Sequence, residues 1–115
     1  MESHAVVFPA PNQVEFRKVT CPDPGPEDVV IDVHHSWISN GTEGSFLRGD
    51  RLEGDVAWKP GHPTPFPMVA GYQKVGRVRW VGSAVKNLAV GDWVFSAMSR
   101  ISGMYENRYA GHVSP

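Results

Sequence analysis

The 115-residue chain has a single cysteine, no basic run and no long apolar stretch, and each absence excludes a class of protein. Cys21 alone cannot form an internal disulfide framework or a cysteine-rich zinc site, and it fits a reducing compartment. Eleven Lys and Arg against twelve Asp and Glu give a formal net charge of -1, without the basic patch of a nucleic-acid binder. No window approaches the roughly 20 apolar residues of a membrane span, and the N-terminus lacks a signal-peptide pattern. We therefore expect a cytoplasmic protein without nucleic-acid or membrane partners.

The length suits one domain, residues 1–115, because it is too short for a substrate domain plus a separate nucleotide-binding domain. Twelve Gly and ten Pro separate short β-branched and aromatic runs, which is typical of short strands joined by turns. We predict an all-β barrel or sandwich. The predicted strands, in chain order, are His4–Phe8, Gln13–Val19, Val29–Ile38, Met68–Ala70, Lys74–Val81, Trp93–Ala97 and Tyr109–Val113.

Two segments between these strands have sequence patterns that do not predict strands. Thr42–Leu47 is predicted to form one or two helical turns, capped by Thr42 or Asn40 and stopped by Gly49. Residues 50–67 are rich in Pro and Gly and predict a long excursion over the surface.

The adjacent histidines His34 and His35 suggest a metal site. However, neighbouring residues of a strand point to opposite faces of the sheet and cannot converge on one ion. We therefore expect both histidines to be structural.

A pattern of spaced glycines runs from Gly71 to Val85. Gly71 is followed after four residues by Gly76, and Gly82 follows after five more. Gly71 ends a strand, Gly76 permits a bend or bulge, and Gly82 opens the turn before Val85. The spacing suits a sharply curved barrel.

This pattern resembles the zinc alcohol dehydrogenase signature, which reads Gly-His-Glu, two residues, Gly, five residues, a small residue, two residues and an aliphatic one. Val75–Val94, with its Gly91-Asp92 turn, also resembles a conserved segment of that family. The chain is thus similar to the medium-chain dehydrogenase/reductases. The resemblance implies a GroES-like, partly open barrel that forms the substrate half of an oxidoreductase.

The resemblance also implies a cofactor, NAD or NADP, held by a neighbouring Rossmann domain of the same protein. It would exchange hydride with a small alcohol, carbonyl, enone or quinone. No Gly-x-Gly-x-x-Gly lies between a strand and a helix here, so we expect that domain to be absent from this chain and the chain alone to be inactive.

Two segments depart from the family pattern. Ser39 stands near the expected zinc-binding Cys, and Tyr72-Gln73 follows Gly71 in place of His-Glu. Hydroxyls are poor substitutes for thiolate and imidazole, so we expect no zinc. Hydrogen-bond donors would then stabilise the oxyanion that develops on the substrate. The predicted catalytic residues are Tyr72, Ser39 and Thr42, and the predicted substrate-binding residues are Asn40, Glu43, Gln73 and Trp58.

Five points stay open. Tyr72 can instead fill the volume of the missing metal shell, and Glu43 can cap the helical turn or approach the nicotinamide. A non-enzymatic binding module, of the kind found in oligomeric GroES-like co-chaperonins, is the competing function, and a homo-oligomer is the open alternative for assembly. The substrate is open as well. The turn from strand to helix, Ser39-Asn40-Gly41-Thr42-Glu43, is similar to that of the family's bacteriochlorophyllide-oxidising branch, and quinone or enone reduction is another metal-free option.

Overall fold

The computed structural model describes residues 1–53, 56–96, 99, 101 and 113–114. Within that part of the chain, short strands surround a single helix, as the all-β prediction required. In chain order, the elements are β1 (Glu2–Val7), β2 (Glu15–Thr20), β3 (Val29–Ser36), α1 (Asn40–Arg48), β4 (Arg51–Glu53), β5 (Val56–Ala57), β6 (Lys74–Val81), β7 (Trp93–Ser96) and β8 (Val113–Ser114).

The strands form two three-stranded sheets and one small hairpin, all antiparallel. The sheet orders are β2-β1-β8 and β3-β6-β7, and β4 pairs with β5. The predicted opening hairpin, β1 with β2, is confirmed. Ala97 and residues 109–112, which were predicted to extend two strands, lie outside the described residues.

Two clusters of buried side chains fill the interior. One contains Ala5, Val7, Val19 and Val69, and the other contains Phe8, Phe46, Met68 and Ala70. Segment 68–70 contributes to both clusters and therefore ties the β1 sheet to α1.

Segment 68–70 was predicted as a strand, and this prediction is wrong. It makes one isolated bridge, in which Phe8 and Met68 exchange hydrogen bonds of 2.8 and 3.0 Å. Pro65 and Pro67 precede it and lack the N–H that a ladder needs. The apolar run marks burial rather than a strand.

Several predicted bounds also shift. β3 ends at Ser36 rather than Ile38, and β2 runs from Glu15 to Thr20. The helix is longer than predicted, with nine residues, and its N-cap is Ser39 rather than Thr42 or Asn40. Gly49 ends it as predicted. The excursion at residues 50–67 contains the short β4–β5 hairpin, which its sequence pattern did not reveal. The described part of the chain has no helix long and apolar enough to span a membrane.

The β3–β6 ladder is irregular in a way that affects the histidines. Its register shifts between Val33 and His35, so the strict alternation assumed for His34 and His35 does not hold. Both histidines are exposed, and the His34 ring meets Trp93 edge to face at 4.7 Å between centroids. Among the described residues, no group of three or more His, Cys, Asp or Glu could hold a metal ion.

Gly76 lies beside this bulge, paired with Val33 of β3. A Cβ atom there would overlap the Asp32 carbonyl oxygen and come within 2.8 Å of Ile31 Cγ2. The curvature predicted for Gly76 therefore has a steric basis in the backbone of the neighbouring strand.

Gly76→Ala is expected to lower the free energy of unfolding by about 2 kcal/mol or more, because backbone must move to admit the methyl group. Gly41→Ala is the matched control, since nothing lies within 4 Å of a Cβ there. Replacing this helical glycine should raise stability by about 0.5–1 kcal/mol. Urea unfolding of both variants measures the difference, and equal stabilities would contradict the close approach at Gly76.

Candidate functional site

The side chains of Tyr72 and Ser39 meet although they lie 33 residues apart in sequence. The Tyr72 hydroxyl donates a hydrogen bond of 2.7 Å to Ser39 Oγ, and both residues are half-buried. Tyr72 follows Gly71, whose φ of 107° lies in the left-handed region that favours glycine. The glycine pattern thus aims the tyrosine at the start of α1.

The β3–β6 pairing brings these two residues together. The last pair of the ladder joins Ser36 to Lys74, and Trp37 N then donates to the Gln73 carbonyl at 2.9 Å. The Tyr72–Ser39 contact lies just past this end of the ladder, one residue out of its register. A side-chain hydrogen bond therefore links the two chain segments beyond the end of the strands.

Glu43 fixes the backbone of Ser39. Its Oε2 accepts a hydrogen bond of 2.6 Å from Ser39 N, and the Glu43 amide donates to the Ser39 carbonyl at 2.9 Å. The buried carboxylate thus caps α1, near the positive end of the helix dipole. Ser39 makes no side-chain cap bond, so its hydroxyl is directed to Tyr72 instead. The capping alternative for Glu43 agrees with this geometry.

The other predicted site residues divide into two groups. Asn40 and Thr42 lie in the first turn of α1, directly after Ser39, with Asn40 exposed and Thr42 half-buried. Gln73 joins the site through its backbone carbonyl. Trp58 is bonded elsewhere: its Nε1 donates to the Pro63 carbonyl at 3.1 Å and its amide donates to the Asp50 carbonyl at 2.8 Å.

Lys74 is a feature that sequence reasoning missed. It is only 2% exposed, and the register places it between Ser36 on β3 and Ser96 on β7. Burial lowers the pKa of Lys74 to about 8, because desolvation disfavours the charged ammonium. The alternation of side chains along β6 could have predicted that Lys74 is buried, since Lys74 shares a face with buried Gly76 and Val78.

The site offers two hydroxyl groups at one edge of the barrel, held by a ladder on one side and by a capped helix on the other. Such a pair can donate a hydrogen bond to a substrate oxygen and pass a proton to it. It offers neither thiolate nor imidazole, the donors that zinc prefers along with carboxylate. The Glu43 carboxylate accepts a hydrogen bond from the Ser39 amide.

Comparison with known proteins gives consistent matches. The sequence-family model for the alcohol dehydrogenase GroES-like domain matches residues 25–112 of the chain. A 2-desacetyl-2-hydroxyethyl bacteriochlorophyllide A dehydrogenase from Rhodobacter capsulatus is 33% identical over 68% of the chain, which corresponds to 23% of that protein. An L-threonine 3-dehydrogenase from Saccharopolyspora erythraea is 33% identical over 90% of the chain and 27% of its own length.

A solved structure shares the fold. It is that of a protein from Sinorhizobium meliloti assigned as a zinc-binding dehydrogenase and bound to NADP. The TM-score is 0.61 at 27% identity, over 81% of this chain and 24% of that one. The chain thus spans about a quarter of the length of the relatives it matches.

Stability is expected to depend on pH through Lys74. Between pH 8 and the ordinary lysine pKa of 10.5, the unfolded chain holds a proton that the folded chain has lost. The free energy of unfolding should therefore rise with pH across this window, and the desolvation cost is present in full below pH 8.

Lys74→Met should abolish that slope and stabilise the protein at pH 7, while the exposed Lys86→Met should leave the slope in place. Urea unfolding between pH 7 and 10.5 measures both variants. An unchanged slope in the Lys74 variant would show that the lysine titrates alike in the folded and unfolded chains.

Proposed function

Because the chain belongs to the family of alcohol dehydrogenase GroES-like domains, we propose that it is the substrate-binding half of an NAD(P)-dependent oxidoreductase. The dehydrogenase relatives and the NADP-bound solved structure support this proposal. The cofactor would be bound by a Rossmann domain of the full-length protein, and activity is expected of the full-length protein. The observation that carries the proposal is the Tyr72–Ser39 hydroxyl pair at the glycine motif.

We further propose that the reaction does not use zinc. Tyr72 follows Gly71 where the family pattern has His, Ser39 stands near the expected Cys, and the two hydroxyls bond to each other. The donor set therefore does not fit a tetrahedral zinc site. The oxygen of an alcohol, carbonyl, enone or quinone would be bound by hydrogen-bond donors instead.

We assign an order to the two hydroxyls, each of which can donate or accept. With Tyr72 donating to Ser39 across their 2.7 Å contact, the Ser39 hydroxyl proton is available to the substrate oxygen. When bound, NAD(P) supplies or accepts the hydride at the substrate carbon. In reduction, the carbonyl electron pair moves to oxygen, Ser39 gives its proton to that oxygen, and Tyr72 replaces the proton on Ser39. Solvent then reprotonates Tyr72, and oxidation of the alcohol runs in reverse.

In this order Ser39 donates the proton to the substrate oxygen, and Tyr72 reprotonates Ser39. The sequence had suggested direct donation by Tyr72. Glu43 holds Ser39 in place through its backbone amide and takes no part in proton transfer.

In the full-length protein, Ser39→Ala is expected to lower kcat by at least roughly tenfold, because removing a positioned donor to a developing oxyanion has costs of this order or larger. Tyr72→Phe should also lower kcat at least roughly tenfold, by removing the proton that replaces the one Ser39 gives up. Ser83→Ala, at an exposed turn, is the matched control and should leave kcat unchanged. Steady-state rates at saturating substrate and coenzyme measure all three.

Wild-type kcat in both site variants, with an unaltered fold, would leave the pair only a packing role. A loss in Tyr72→Phe but not in Ser39→Ala would instead make the tyrosine the direct donor.

A further inference from the structure

A pocket lies at the other end of the β3–β6 ladder from the hydroxyl pair. Its volume is about 500 Å³, and it is lined by Glu27, Val29 and residues 84–88. This volume falls within the range of small-molecule sites, roughly 300–1,000 Å³. Val29 begins β3 and Ser36 ends it, so the strand separates the pocket from the hydroxyl pair by about 23 Å. The pocket is therefore distinct from the candidate site.

The wall of the pocket is fixed by backbone hydrogen bonds between two turns. Gly82 N donates to the Asp28 carbonyl at 2.8 Å. Ala84 N donates to the Pro26 carbonyl, also at 2.8 Å. A Cβ atom at Gly82 would overlap the Pro26 carbonyl oxygen, so the two turns are in direct contact. The pocket is thus preformed, which lowers the entropic cost of binding a ligand.

The lining combines apolar and charged groups. Val29, Val85 and Leu88 are half-buried, whereas Glu27 and Lys86 are exposed and carry opposite formal charges. No aromatic residue is among the described residues that line the pocket. The pocket therefore offers aliphatic surface for contact, with one acidic and one basic group beside it.

The two charges do not neutralise each other. Within the described part of the chain, neither Glu27 nor Lys86 forms an ion pair. Lys86 Nζ makes a long hydrogen bond of 3.4 Å to the Ser83 carbonyl. A ligand that carries both an ammonium and a carboxylate can satisfy both side chains at once, whereas a ligand with a single charge can pair with only one of them.

We propose that this pocket binds an α-amino acid with an aliphatic side chain, of the size of leucine. The ammonium group of the ligand contacts Glu27, its carboxylate contacts Lys86, and its side chain is covered by the apolar lining residues. Burial of aliphatic surface supplies most of the attraction, because exposed ion pairs contribute little each. The proposal does not depend on the proposed function, since the pocket and the hydroxyl pair are separate.

The test measures the binding of L-leucine to the full-length protein by saturation-transfer NMR, without turnover. We expect saturable binding with a Kd of about 1 mM. 4-Methylpentanoate lacks the ammonium group and 3-methylbutylamine lacks the carboxylate, so each should bind roughly threefold more weakly than leucine. Glycine, which lacks the aliphatic side chain, should show no saturable binding in the same range.

Two variants assign the charges. Glu27→Gln should weaken leucine roughly threefold and leave 4-methylpentanoate unchanged, because that ligand has no ammonium group. Lys86→Met should weaken leucine by a similar factor and leave 3-methylbutylamine unchanged. Lys59→Met removes an exposed lysine of another loop and is the matched control, so it should leave every Kd unchanged.

Three results would overturn the proposal. The first is the absence of saturable leucine binding up to about 20 mM. The second is an equal effect of Glu27→Gln, or of Lys86→Met, on leucine and on the analogue that lacks the matching charge. The third is leucine binding that responds to Tyr72→Phe but not to the pocket variants, which would place the ligand at the hydroxyl pair. A full-length protein that binds leucine as expected but oxidises and reduces nothing would keep the pocket and reject the proposed function.

Discussion

The antiparallel pairing of β3 with β6 is the constraint on which the candidate site depends. It aligns Ser36 with Lys74 and Trp37 with Gln73, and the hydrogen bond between Tyr72 and Ser39 lies just past this end of the ladder. Register is strictly specified in such a ladder, because a slip by one residue would turn every side chain to the other face. The distance between two hydroxyls 33 residues apart in sequence is thus set by a backbone ladder.

The glycine pattern and the chemistry of the site are separable. Gly76 meets the Asp32 backbone and Gly71 takes a left-handed conformation, and both requirements concern the main chain alone. The residues directly after Gly71 are not bound by these requirements. A barrel of this family can therefore keep its curvature while the side chains at its edge change from metal ligands to hydroxyls, as we propose for this chain.

Much of this could be predicted from the sequence. The resemblance to the medium-chain dehydrogenase/reductases is confirmed, because the glycine spacing records backbone geometry that few folds share. The all-β class and the helix stop at Gly49 followed from local turn chemistry. The hydroxyl pair was anticipated only through the family pattern, since periodicity alone cannot join residues 39 and 72.

The failures have local physical reasons. Segment 68–70 reads as a strand because burial and strand pairing favour the same apolar residues. The role of Trp58 at the site stays a prediction, and the structure shows its indole bonded within its own loop. Lys74 was treated as an ordinary strand residue, since lysine is rarely buried, although the alternation of β6 directs it inward.

The central claim is that a hydroxyl pair, rather than a zinc ion, binds the reacting oxygen. The most direct test is the zinc content and turnover of the full-length protein before and after exhaustive chelation. The account predicts substoichiometric zinc and unchanged turnover. Stoichiometric zinc, with turnover lost on chelation and restored by added zinc, would contradict it.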